Sequence, residues 1–173
     1  GAVQTICAAK DGRGGALNRE GTIVFAADFR DAPLFQGPSA GGEPLAKFVL
    51  PPGAVYFKWS PDSKSATYID RNKGWNVMRQ PIAGGEPTEL THFTEGVTTA
   101  FAWQRDGAQL VAVRQIGQKS GLWSVQPGKG DPELLVEFRS GTISDVHFAP
   151  DGPSVYFVYG TSSKDVVLIS DFQ

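Results

Sequence analysis

The stretch WSPDSKSATYID, residues 59–70, places a bulky aromatic residue, a Pro-Asp turn and a run of strand formers in immediate succession. In Ser60-Pro61-Asp62-Ser63 the proline pre-sets φ at the second turn position. The short carboxylate at the third position bonds nearby backbone N–H groups. The flanking runs AVYFKW (54–59) and SATYI (65–69) suit the two arms of a β-hairpin. The same order recurs. WQRDGAQLVAV begins at Trp103, FAPDGPSVYFV at Phe148, and a degenerate copy, LNREGTIVFA, at Leu17. The opening residues lie 42, 44 and 45 positions apart, a period of propeller blades or helical arrays. Pro-Asp turns between strand formers exclude the helical option.

A second signal runs out of phase with the first. AGGEP occupies 40–44 and 83–87, and GKGDP occupies 128–132. These glycines can take the positive φ that tight hairpins require. Before them come PLFQGPS, WNVMRQPI and LWSVQP; after them come LAKFV, TELTHF and ELLVEF. Each unit is therefore expected to be a four-stranded meander, the form of a propeller blade. The expected fold is all-β, a four-bladed β-propeller of four-stranded antiparallel blades within a single domain, 1–173. The blades fall at about 10–50, 51–94, 95–139, and 140–173 together with 1–9. In this reading the N-terminal strand around Thr5-Ile6-Cys7 pairs with the last strand, DVVLIS (165–170), and closes the ring. Closure would remove an open sheet edge and two unsatisfied end blades. The alternatives are a four-blade piece of a larger ring, or two copies forming an eight-blade ring; a monomer is favoured over a homodimer.

Bulk properties narrow the function classes. The 173 residues are 40% hydrophobic and 20% charged, as in a soluble globular domain. A net charge of -2 steers neither nucleic acid nor a membrane surface. No apolar run approaches the roughly 18 residues of a membrane span, and no signal peptide is evident. The single cysteine, Cys7, cannot form an internal disulfide and reads as a small buried residue.

The motifs FxWSPDSKS, GGEPTELTHF and FAPDGPSVYFV resemble the PD40 (WD40-like) repeats of TolB-like β-propellers. The likeness covers nearly the whole chain and is strongest over Val55 to Phe93 and at SSKDVVLISDF. That ending and QTICAAKDGRGGALNREGTIVFA look like the propeller that follows the kinase domain in some bacterial serine/threonine kinases. Similar segments follow DNA-binding domains in bacterial regulators. The chain itself carries no kinase signature. The resemblance implies a non-catalytic binding or sensing module whose partner is another protein or a peptide. It also favours a bacterial, periplasmic or extracytoplasmic setting, with no cofactor. Relatives usually have six or more blades, so four is a departure.

Few residues suggest chemistry. His92 is expected in an outer strand and His147 in an innermost one, too far apart for a metal site. No Gly-x-Ser-x-Gly elbow accompanies the serines. DGRGGALNREG (11–21) has the glycines of a phosphate loop but precedes a strand, not a helix. Glu20, Asp62, Asp106 and Asp151 recur at the blade period, one acid per turn, too few for calcium, so they read as structural turn acids. Trp59 with Trp103, and Trp75 with Trp123, are read as matching strand positions that pack neighbouring blades, alongside Phe57 and Phe101. The opposite face of the innermost strands carries Tyr56, Lys58, Asp145 and His147 near the axis. Either they bind a small ion or a peptide end at the channel mouth, or axial water solvates them. Three functions follow in order: a binding or scaffold module, a minimal excised or engineered ring without a ligand, and a propeller lyase or hydrolase.

Overall fold

The structure, a computed structural model, describes residues 12–17, 23–28, 33–38, 46–150, 152 and 154–161, with side chains from Leu50 onward. The Cys7 strand, the DVVLIS strand and therefore the expected ring closure lie outside the described residues. Within them the chain forms four separate antiparallel sheets, each a meander in chain order. The first holds β1 (Gly12–Leu17), β2 (Ile23–Asp28), β3 (Pro33–Pro38) and β4 (Ala46–Val49). The second holds β5 (Ala54–Trp59), β6 (Ser65–Asp70), β7 (Asn76–Pro81) and β8 (Thr88–Glu89). The third holds β9 (Val97–Trp103), β10 (Leu110–Ile116), β11 (Lys119–Val125) and β12 (Glu133–Phe138). The fourth holds β13 (Thr142–Phe148) and β14 (Val155–Gly160). This is β-propeller architecture, with the 42- to 45-residue repeat of the sequence written as successive sheets.

The Pro-Asp and Asp-Gly turns work as their residues require. Ser63 N donates to Ser60 O at 2.9 Å, and Gly107 N to Gln104 O at 2.9 Å. The fourth residue is left-handed in both, φ 56° at Ser63 and φ 76° at Gly107. In the second sheet's outer turn Gly84 and Gly85 take φ 102° and 115°.

Every innermost strand carries one extra residue against its hairpin partner. The register slips between Gly12 and Gly15 in β1, between Val55 and Lys58 in β5, opposite Val113/Arg114 in β9, and between Ile143 and Asp145 in β13. Such a bulge sharpens the local twist and re-aims side chains. Simple two-residue alternation, on which the sequence reading relied, therefore breaks at one point in each of these strands.

The core lies between sheets. Ile69 and Val77 of the second sheet meet Phe101, Leu110, Ala112 and Val125 of the third. Val111, Val113 and Leu122 of the third meet Ile143 and Val146 of the fourth. Leu50, Trp59, Ala66, Tyr68 and Met78 form a further cluster with Phe57 against it. Each fully buried aliphatic or aromatic side chain contributes about 1.5–3 kcal/mol.

The outer part of the second sheet departs from expectation. TELTHF does not run as a full strand: β8 pairs only through Met78–Glu89 and Arg79–Thr88. One more backbone bond follows, Leu90 N to Val77 O at 2.8 Å, and then the Asn76 side chain takes over from the ladder. Its Oδ1 accepts from Thr91 Oγ1 and Phe93 N, each at 2.8 Å, and its Nδ2 donates to Phe93 O at 3.1 Å. Thr91 Oγ1 also accepts from Val77 N at 2.9 Å. A strand end thus becomes a side-chain clamp, and His92 sits exposed in irregular chain, not in an outer strand. Trp75 also falls outside its strand. It precedes β7 in a left-handed conformation, φ 60°, so it does not match Trp123 within β11.

Candidate functional site

The innermost strands of the second and fourth sheets bring Tyr56, Lys58, Asp145 and His147 into one cluster. Tyr56 sits in the β5 bulge at φ 50°, costly for a bulky residue, and this turns its ring out of the strand. Its hydroxyl donates to Asp145 Oδ1 at 3.0 Å, across 89 residues of sequence. Val146 N donates to the same oxygen at 2.8 Å. His147 Nε2 lies 2.9 Å from Asp145 Oδ2. The Tyr56 ring meets Phe101 edge-on, with centroids 5.4 Å apart. Lys58 Nζ lies 5.2 Å from the Tyr56 ring centre and 6.0 Å from that of Phe101.

The strand between them makes the space. One residue before the bulky ends of β5, β9 and β13 stand Lys58, Ala102 and His147; three before stand Tyr56, Ala100 and Asp145. The third sheet offers only alanines at both positions, so the large polar groups of its neighbours reach each other past it.

The electrostatics follow from partial burial. Burial, then the nearby Asp145 carboxylate, pushes the Tyr56 phenol well above its usual pKa, so it stays a donor. Burial lowers the Lys58 ammonium, and the Asp145 charge pulls part of that back. Burial alone would raise Asp145, but hydrogen bonds from His147, Val146 and Tyr56 bring it below the ordinary carboxylate range. The cluster is thus a carboxylate whose lone pairs are largely taken, beside a cation on an aromatic shelf. None of the described residues accepts a hydrogen bond from Lys58 Nζ.

The other expected sites stay apart. Asp62 Oδ1 accepts from Lys64 N at 3.0 Å, and its Oδ2 pairs with Arg79 Nη2 at 2.6 Å. Asp106 Oδ1 accepts from Ala108 N at 2.9 Å. Each acid gives one oxygen to its turn backbone, and Asp62 gives the other to an arginine. Glu20, Asp151 and Cys7 lie outside the described residues, and Gly12–Leu17 of the 11–21 stretch forms strand β1 itself, not a loop ahead of a strand. Among the described residues no group of three His, Cys, Asp or Glu side chains could hold a metal, and no helix is long and apolar enough to cross a membrane. Trp103 Nε1 donates to Thr67 Oγ1 at 3.0 Å, tying the third sheet to the second, and Trp123 meets Phe93 edge-on at 5.6 Å.

Sequence reasoning missed Arg114. It is 1% exposed, in the apolar run LVAVRQI. Its guanidinium lies 4.3 Å from the Phe93 ring centre, and Nη1 donates to Thr98 Oγ1 at 2.9 Å. Nε and Nη2 are buried without a hydrogen-bond partner. Burial draws its pKa down to about 10. The available signal was positional: Arg114 follows Trp103 by the same eleven residues that separate Asp70 from Trp59.

No protein-family model and no curated protein sequence matches the chain. Solved structures do. A protein assigned as TolB from Agrobacterium tumefaciens overlays with TM-score 0.71 at 23% identity, over 85% of this chain and 53% of that one. An oligogalacturonate lyase from Vibrio parahaemolyticus gives TM-score 0.68 at 12% identity, over 85% and 45%. Hydrazine synthase from Kuenenia stuttgartiensis gives 0.65 at 14%, over 86% and 43%. The chain has the fold of TolB-like β-propellers and spans about half the length of these proteins. The likeness to kinase-linked propellers rests on sequence alone.

Proposed function

We propose that the protein is a non-catalytic binding module whose axial cluster receives the anionic end of a peptide. The observation that carries this reading is the Tyr56–Asp145 hydrogen bond beside a Lys58 ammonium held over two rings. Asp145 is occupied by Tyr56, Val146 and His147, so it does not compete for Lys58 as a free carboxylate does. Lys58 is left with donors for an incoming carboxylate, and partial desolvation strengthens such a contact.

The test is fluorescence polarisation with a labelled peptide pool ending in free carboxylates, set against the same pool amidated. Binding should favour the free carboxylates and drop at least tenfold in Lys58→Ala. Equal binding of both pools, or unchanged binding after Lys58 and Asp145 are replaced together, removes the axial site.

A second reading draws on the His147–Asp145 pair, which has the form of an oriented base, and on the neighbour that is an oligogalacturonate lyase. Turnover of oligogalacturonate that disappears in His147→Ala would establish it in place of the binding role.

A further inference from the structure

The axial cluster holds a hydrogen-bond acceptor that carboxylate binding at Lys58 leaves unused. Asp145 titrates below the ordinary carboxylate range, so at neutral pH it is ionised and has no proton to give. The 2.9 Å contact between its Oδ2 and His147 Nε2 therefore carries its proton on the nitrogen. In the neutral ring that leaves Nδ1 as an acceptor, because the two nitrogens of an uncharged imidazole take opposite roles. The His147 side chain is 63% exposed, and none of the described residues donates to Nδ1.

Asp145 fixes where this acceptor stands relative to the Lys58 donor. Its Oδ1 takes the Tyr56 hydroxyl, and the Tyr56 ring carries Lys58 Nζ at 5.2 Å from its centre. Its Oδ2 takes His147. β5 thus supplies a cation and β13 an acceptor, one on each oxygen of the same carboxylate. The Asp145 charge works against an anion that arrives alone. A ligand that suits all three groups carries a carboxylate with an N–H beside it. The last residue of a peptide has both on one carbon. An Asp or Glu side chain sets its carboxylate further from the backbone N–H, and a simple fatty or dicarboxylic acid has no N–H at all.

We propose that His147 is the specificity-determining residue of the axial site: its Nδ1 accepts the amide N–H of the ligand's last residue while Lys58 holds that residue's carboxylate. This inference rests on the carboxylate-binding reading of the cluster and narrows it from anionic groups in general to the backbone of a peptide C terminus. A ring that only braced Asp145 would be indifferent to that N–H.

The test is a cycle read by fluorescence polarisation. Labelled peptides ending in a free carboxylate are compared with the same peptides in which the last amide is replaced by an ester, which removes the N–H and keeps the shape. Both sets are titrated into wild type and into His147→Phe, with circular dichroism to confirm the fold of the variant. Wild type should bind the ester set about tenfold more weakly, the effect of one hydrogen bond. His147→Phe should bind both sets alike. An ester penalty of equal size in the two proteins overturns the role of His147. So does a wild type that prefers free over amidated ends yet binds amide and ester alike, and in that case the carboxylate reading stands. Equal binding of free and amidated ends overturns both. The ester comparison uses the unaltered protein, so it decides the matter whatever the substitution does to folding.

Discussion

Replacing Tyr56 with Phe tests the Tyr56–Asp145 cluster at a single atom. The variant keeps the ring that meets Phe101 and carries Lys58, and removes only the hydroxyl that donates to Asp145. A hydrogen bond to a charged acceptor contributes about 1.5–3 kcal/mol net. The Asp145 side chain is 42% exposed, so solvent screening places the value at the low end or below it. The expected loss at neutral pH is about 1–1.5 kcal/mol, or roughly 2–6 °C in Tm for a chain of this length. Guanidinium denaturation followed by tryptophan fluorescence reads it directly. The pH dependence supplies an independent check. The Tyr56 phenol titrates above its ordinary value of 10.0 in the folded state. Between pH 10 and that raised value the unfolded chain gives up its proton while the folded one keeps it. The unfolded state then binds fewer protons, and stability falls as pH rises. Tyr56→Phe lacks this dependence, so the gap between the two proteins should close above pH 10. Asp145 is lowered from 3.8, so its contribution is present above that pH and is lost as pH falls through the folded value. The gap should close there too. A variant as stable as wild type at pH 7, or zero coupling in a double-mutant cycle with Asp145→Asn, would refute the cluster as described.

Other positions carry equally definite expectations. Asn76→Ala strips the clamp from Thr91 and Phe93 and should cost about 2–4 kcal/mol in urea unfolding, since several buried groups lose partners together. Gly107→Ala meets only Pro61 at 3.6 Å, so its cost should be the left-handed backbone, about 1–2 kcal/mol. Gly96→Ala drives a methyl into the Gln115 carbonyl and should destabilise markedly more than Gly107→Ala in the same melt. Arg114→Met fills the same space beside Phe93 without a buried charge and should stay within about 1 kcal/mol of wild type, while Arg114→Ala loses about 3 kcal/mol. If the Met and Ala variants are equally unstable, the guanidinium itself is required.

The repeat was legible because its parts are local. Ser60-Pro61-Asp62-Ser63 and Gln104-Arg105-Asp106-Gly107 turn by short-range chemistry, and the strands beside them need only β-forming residues. The inner polar positions were legible in the same way, from alternation counted back from Trp59 and Phe148. The bulges were not legible, because an extra residue in one strand is chosen by twist and packing against a partner strand, not by composition. Nor was the shortening of TELTHF to β8: its residues suit a strand, and only the Asn76 side chain across the gap makes an irregular path satisfactory.

What the sequence alone determined is therefore the unit: short antiparallel strands, two kinds of turn and a period. What only the tertiary structure decided is how units meet. The Tyr56–Asp145 contact spans 89 residues and depends on a bulge at φ 50° and on the small Ala100 and Ala102 between its two strands. The burial of Arg114 likewise depends on which sheet stands next door. Short-range turn and strand preferences act within a few residues of chain. Packing between sheets is a property of surfaces brought together from distant segments, and no local pattern encodes it.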